Sequence, residues 1–233
     1  MLRNSINTFI SKIKGEEFVL DTEIPLNYFL GILFNRLIMM IRGMCIFKKK
    51  YIFIGRNSTI KCKHKLHIKK NVKIGNDCYI DALSIDGIQI GSNVNIGKYC
   101  SIEATGSLTN IGKGLVIGDG VGLNSNCFLG CAGGIEIGKD TIIGELVTMH
   151  SENHNFSDIN VVIKKQGINR KGIKIGSGCW IGAKVTVLDG AEIGNGCVIA
   201  AGSVVIAGKY DDNGIYGGVP AKLLKSRGVS KDV

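Results

Sequence analysis

Side chains able to take up a proton near neutral pH are scarce in this chain. It has four histidines, His64, His67, His150 and His154. Imidazole, with a reference pKa of about 6.5, is mostly neutral at pH 7 and suits a general base. His64 and His67 lie among Lys61, Lys63, Lys65 and Lys69, which reads as a solvated basic face. His150 and His154 open a segment whose pattern differs from everything around it. A catalytic imidazole is usually oriented by a third group. Glu152, Asp158 and a backbone carbonyl stay open as that group. A metal-dependent reading would need three histidines on adjacent turns of the fold, which this distribution does not offer. No CxxC pair is present either, so no metal is expected.

The surrounding sequence must position such a base, and it carries a regular beat. Ile175, Ile181, Val187, Ile193, Ile199 and Val205 follow each other at intervals of six. The beat recurs in Ile68, Ile74 and Ile80, then in Ile90, Ile96, Ile102 and Leu108. It continues in Ile111, Ile117, Leu123 and Leu129, and in Ile137, Ile143 and Met149. Ile54 and Ile60 read as a frayed first coil. Six is neither a helical period nor a strand alternation. It fits a triangular solenoid, in which six residues make one short strand and one corner. Each coil buries its apolar edge only against its neighbours. The chain's 33 glycines and two prolines fit a repeating β architecture.

Of the eight cysteines, Cys78, Cys100, Cys127, Cys179 and Cys197 each stand four residues after a beat aliphatic. Val72, Val94, Val121, Val147, Val185, Ala191 and Ser203 fill the same slot. These thiols are expected to be small inward-packing groups, not nucleophiles. Free thiols and the polar residues 1–17 point to a reducing cytoplasm.

The beat is interrupted at 81–89, at 130–136 and, most extensively, at 150–174. The last is expected to project from a corner as a loop. Rigid scaffolds tend to carry their sites on such loops. The resulting organisation is an N-terminal helical segment over 1–50, a solenoid over 51–208 with the external loop 150–174, and a tail over 209–233 with a short helix opened by Pro220. In the first segment Leu26, Phe29, Leu33, Leu37, Met40 and Met44 keep helical spacing. Arg36 and Arg42 argue against crossing a membrane. The helix is expected to pack on the solenoid or a neighbouring subunit. Peripheral membrane contact through residues 25–50, helped by Lys48, Lys49 and Lys50, is the alternative. The net charge of +10 fits an anionic partner, and no nucleic-acid motif is present.

The I-G-x-x-x-x beat, the loop string Asn153-His154-Asn155-Phe156, Trp180-Ile181-Gly182-Ala183, and the ending Gly218-Val219-Pro220-Ala221-Lys222 together resemble the hexapeptide-repeat acetyltransferases. The bacterial polysaccharide, colanic-acid and lipopolysaccharide O-acetyltransferases are the nearest subgroup. The resemblance covers roughly 54–226. It implies an all-β, left-handed parallel β-helix, a homotrimer with sites between subunits, and acetyl-CoA as acyl donor. His154 matches the family's general base. Asn124 matches a residue of the acceptor region. Trp180, Ala183, Ala201, Ile206, Lys222 and Lys225 match positions that meet coenzyme A. Where relatives carry an aromatic and an acid near that asparagine, this chain has Gly122 and Ala132, which puts galactoside or maltose acceptors in doubt. The expected activity is direct O-acetylation of a sugar hydroxyl in surface-polysaccharide synthesis. An antibiotic or amino-sugar N-acetyltransferase and a non-enzymatic scaffold are the alternatives.

Overall fold

The computed structural model describes residues 7–8, 11, 17 and 19–228. Short parallel strands wind into seven three-sided coils, forming a left-handed parallel β-helix. The first face begins at Ile52–Ile54, the second at Thr59–Lys61 and the third at Leu66–Ile68. Each then repeats upward in register: Ile54 pairs with Ile74, Ile60 with Ile80, and Ile68 with Ile90. The inward side chains are the six-residue beat itself. Ile74, Ile80, Ile96, Ile102, Leu123, Leu129, Ile143, Met149, Ile181, Val187, Ile199 and Val205 are all buried. Isoleucine and valine dominate because β-branched chains pack well on pleated surfaces. The five slot cysteines are buried, as is Cys131.

Two of the three corners are closed in one way throughout. The corner between first and second faces holds a left-handed residue in every coil: Asn57, Asp77, Tyr99, Asn126, Leu146, Lys184 and Gly202. The corner leading to the next coil does the same with Asn71, Asn93, Gly120, Asp140, Gly178, Gly196 and Asn213. Tight turns of this kind leave no room for extra chain. The corner between second and third faces varies instead. It takes only Asp189 and Gly190 between strands Thr186–Leu188 and Ala191–Ile193, but the whole segment from Ser151 to Gly172 one coil earlier. Every long excursion therefore leaves from this one corner.

Two expectations are corrected here. Leu108 and Ile111 do not continue the core. They lie on a small exposed hairpin, Gly106–Ser107 paired with Asn110–Ile111, that leaves the same corner. The inward residues of the next strand are Leu115 and Ile117. The tail forms no helix among the described residues. Lys222–Ser226 is a strand, paired antiparallel with Gly214–Gly217 and closing the top edge of the first face. The edge of the last coil offers unpaired backbone groups, and an added strand satisfies them where a helix would not.

Helix α1 (Leu26–Phe47) covers the other end. Its C-terminal half meets the solenoid, with Ile46 and Phe47 packed on the core. Gly43 lies against the Ile52 carbonyl, where a β-carbon would clash. Arg36 sits over the Phe53 ring at 4.5 Å and donates to Asn71 at 3.2 Å. Arg42 donates to the Ile54 carbonyl.

Candidate active site

The longest excursion leaves strand Thr148–His150 and returns at Ile173–Ile175. Ordering so many residues costs backbone entropy, on the order of 1–2 kcal/mol per residue, so the loop needs internal ties. Its legs pair as an antiparallel ladder, Asn153 with Asn169 and His154 with Ile168. Near the tip the Gln166 amide donates to the carbonyls of Asp158 (2.8 Å) and Val161 (2.7 Å) and accepts from the Asp158 N–H (3.1 Å). Asn155 donates to the Gln166 carbonyl and accepts from Asn169.

The root is held by charge. Asp189, 1% exposed, accepts from the Lys171 N–H at 2.9 Å and the Gly172 N–H at 2.7 Å. The Asn153 amide donates to the same carboxylate at 3.4 Å. A buried carboxylate is costly unless hydrogen-bonded, and here its partners are both legs of the loop. Arg170 forms a second tie. It pairs with Glu152 at 2.7 Å and donates to the Asn110 side chain and the Ile111 carbonyl. The loop is thereby fastened to the small hairpin two coils below.

His154 stands exposed on the outgoing leg, one residue after Asn153. Its backbone is fixed by Ile168, while its imidazole makes no hydrogen bond among the described residues. Both acidic candidates for orienting it are engaged elsewhere. Glu152 holds Arg170, and Asp158 accepts from the Asn160 N–H. His150 points outward from the second face against Phe128, ring centroids 5.4 Å apart. His64 lies beside Cys62 at the base, and His67 faces outward on the third face. No group of three metal-ligating side chains occurs among the described residues.

The remaining candidate residues are not gathered around His154 within one chain. Asn124, Ala183 and Ala201 line the corner between first and second faces. Trp180 is 57% exposed on the first face, in a ladder with Ile142 and Val198. Ile206 lies at the corner that carries the loop, two coils higher. Lys222 and Lys225 are exposed on the terminal strand. The second face thus separates His154 from Asn124, Ala183 and Ala201. The hollow at the loop root is shallow, about 90 Å³, and lined by Lys113, Gly134, Lys171 and Lys174 among others.

Asp189, Arg170 and Gln166 are the residues that sequence reasoning passed over. A buried-slot rule would have flagged Asp189, since a carboxylate directly after the strand Thr186–Leu188 interrupts an apolar run.

Known proteins agree with this architecture. The family model described as bacterial transferase hexapeptide (six repeats) matches residues 172–207. WbbJ of Escherichia coli, named for O-acetyl transfer in lipopolysaccharide biosynthesis, is 32% identical over 157 residues, covering 64% of this chain and 75% of WbbJ. A Mycobacterium tuberculosis protein named a probable acetyltransferase is 35% identical over 144 residues, or 61% of this chain. The match spans only 45% of that relative's length. The chain belongs to the hexapeptide-repeat bacterial transferases. Among solved structures, AntD of Bacillus cereus, an N-acyltransferase, superposes with a TM-score of 0.51 at 21% identity, over 76% of this chain and 82% of AntD. That crystal holds dTDP-4-amino-4,6-dideoxyglucose and coenzyme A. At this identity the likeness establishes the fold.

Proposed function

We propose that this protein is an acetyl-CoA-dependent O-acetyltransferase acting on a sugar hydroxyl in surface-polysaccharide synthesis, with His154 as general base. The observation that carries the reading is His154 itself. It is held by its backbone on a doubly tied loop, and its imidazole makes no hydrogen bond among the described residues.

In this reading acetyl-CoA supplies the acetyl group as a thioester. The neutral His154 imidazole takes the proton of the acceptor hydroxyl as the oxygen attacks the thioester carbon. The new C–O bond replaces the C–S bond, and the thiol leaves with a proton returned from His154. Histidine catalysis of this kind contributes about 10² to 10⁴ in rate. Six of the eight cysteines are buried and offer no competing covalent route. The corner at Ala183 and Ala201 suits an extended amide-rich ligand. Both residues are small and exposed, and their N–H groups make no hydrogen bond among the described residues. Lys222 and Lys225 supply positive charge for phosphates.

The separation of His154 from the Ala183–Ala201 corner supports an assembly of copies, a homotrimer, in which one chain's loop faces another chain's corner. The relatives named for acetyl transfer, and coenzyme A in the AntD crystals, support the donor.

The test is acetyl-CoA turnover against a panel of glycans bearing free hydroxyls and free amines. O-acetyl products are expected, with activity falling at least about 100-fold in His154→Ala. Near-normal activity in that variant would refute His154 as base. Products acetylated only at nitrogen would overturn the hydroxyl acceptor and leave the acyl transfer standing.

A further inference from the structure

The net charge of +10 is not spread over the molecule. Twenty-nine Lys and Arg oppose nineteen Asp and Glu. Residues 48–73, the link from α1 and the first coil, contain ten of the basic residues and no acidic one. The rest of the chain is therefore balanced, nineteen against nineteen. Lys48, Lys49, Lys50, Arg56, Lys61, Lys63, Lys69, Lys70 and Lys73 are exposed, on all sides of the base. Among the described residues Lys69 alone of these has an ion-pair partner, Asp119 at 3.5 Å, and both side chains are well exposed.

Against this cationic base stands a helix with an uncovered apolar surface. The C-terminal half of α1 is tied down by Arg36, Arg42 and Gly43. The preceding part, Leu26 to Asn35, contains no charged residue, and apart from buried Phe29 most of it is exposed. Tyr28, Leu30, Ile32, Leu33 and Phe34 are exposed there, the tyrosine and phenylalanine each 65%. Leu37 and Ile41 extend the line at helical spacing.

We infer that the solenoid base docks on an anionic phospholipid surface, with the exposed apolar face of α1's N-terminal half lying in the interface and the first-coil cations meeting the headgroups. Charge selects an anionic partner, and the adjoining apolar helix selects a bilayer over a soluble polyanion, which offers nothing to cover Phe34. The ties of α1 argue against a span: Arg36, Arg42 and Gly43 hold its C-terminal half on the solenoid, and the ten residues before them reach about 15 Å at 1.5 Å per residue, half of the roughly 30 Å hydrocarbon core. An apolar helix beside basic residues is the pattern of interfacial anchoring, and each lysine near an anionic surface adds about fivefold in partitioning. This inference is independent of the acceptor and of His154.

The test is flotation of the full chain with phosphatidylcholine vesicles, with and without phosphatidylglycerol. Binding is expected with phosphatidylglycerol only, and is expected to decline as salt rises. The triple variant Lys48→Glu, Lys49→Glu, Lys50→Glu should weaken it about 100-fold. Leu33→Glu with Phe34→Glu should abolish it. Acetyl-CoA turnover with a soluble acceptor should be unchanged in both, which also shows that both fold. The inference is overturned by equal binding to neutral vesicles, or by full binding of the Leu33/Phe34 variant. It is overturned too if the chain binds a soluble polyanion but no vesicle. Loss of oligomers in the Leu33/Phe34 variant, with vesicle binding intact, would assign the helix face to a second copy instead.

Discussion

Truncating Asp189 to alanine should release the loop that carries His154 while leaving the solenoid folded. The carboxylate accepts two short bonds from the Lys171 and Gly172 N–H groups and a longer one from Asn153. Hydrogen bonds to a charged group contribute about 1.5–3 kcal/mol each. Removing the carboxylate also removes its own burial penalty, which offsets part of that loss. A net cost of about 2–4 kcal/mol results, and it falls on the loop root. A domain of this kind has roughly 5–15 kcal/mol of stability, so the coils survive. Converted at 1.4 kcal/mol per factor of ten, the loop opens about 30-fold to 700-fold more often. Hydrogen exchange read peptide by peptide should show faster exchange across residues 151–172, with the strands of the lower coils unchanged. Turnover should fall while affinity for coenzyme A stays the same, because Ala183 and Ala201 lie on another corner. Asp189→Asn, which keeps one acceptor oxygen, should fall between. Unchanged exchange at Lys171 and Gly172 in the alanine variant would refute the reasoning.

Further outcomes follow from the packing. A β-carbon at Gly182 would lie 2.6 Å from the Ala201 backbone nitrogen, so Gly182→Val should force adjacent coils apart and lower the melting temperature by several degrees or more. In native protein a thiol reagent should label Cys45 and Cys62 first, with the six buried thiols reacting only on unfolding. Burial holds the thiols of Cys131, Cys179 and Cys197 above their ordinary value near 9. Their contribution to stability is therefore complete below that pH. It is lost above it, as the unfolded chain ionises first, which denaturant titration at rising pH will show.

Much of the coil architecture was legible because one inward aliphatic every sixth residue is a constraint written along the chain. Ile143 must stack on Ile181 and Leu123, and each stands one step of the beat from its own neighbours. The same logic misled at the hairpin. Ile102 to Leu108 and Ile111 to Ile117 each preserve the interval of six, so an excursion mimicked a coil. It misled again at Pro220, where a residue suited to starting a helix is followed by a strand. That choice was made by the open edge at Gly214–Gly217, which local sequence does not reveal.

The sequence alone determined the repeat, the inward cysteines and the place where the beat yields to a loop bearing His154. Those are local or periodic properties, readable without knowing what touches what. Only the tertiary structure decided what holds that loop. Asp189 meets Asn153 across 36 residues, and Arg170 reaches Asn110 across 60. Likewise, only the three corners show that His154 and the Ala183–Ala201 edge face different directions. A solenoid brings residues together by coil and side, and neither is visible in a linear spacing until the turns have been counted.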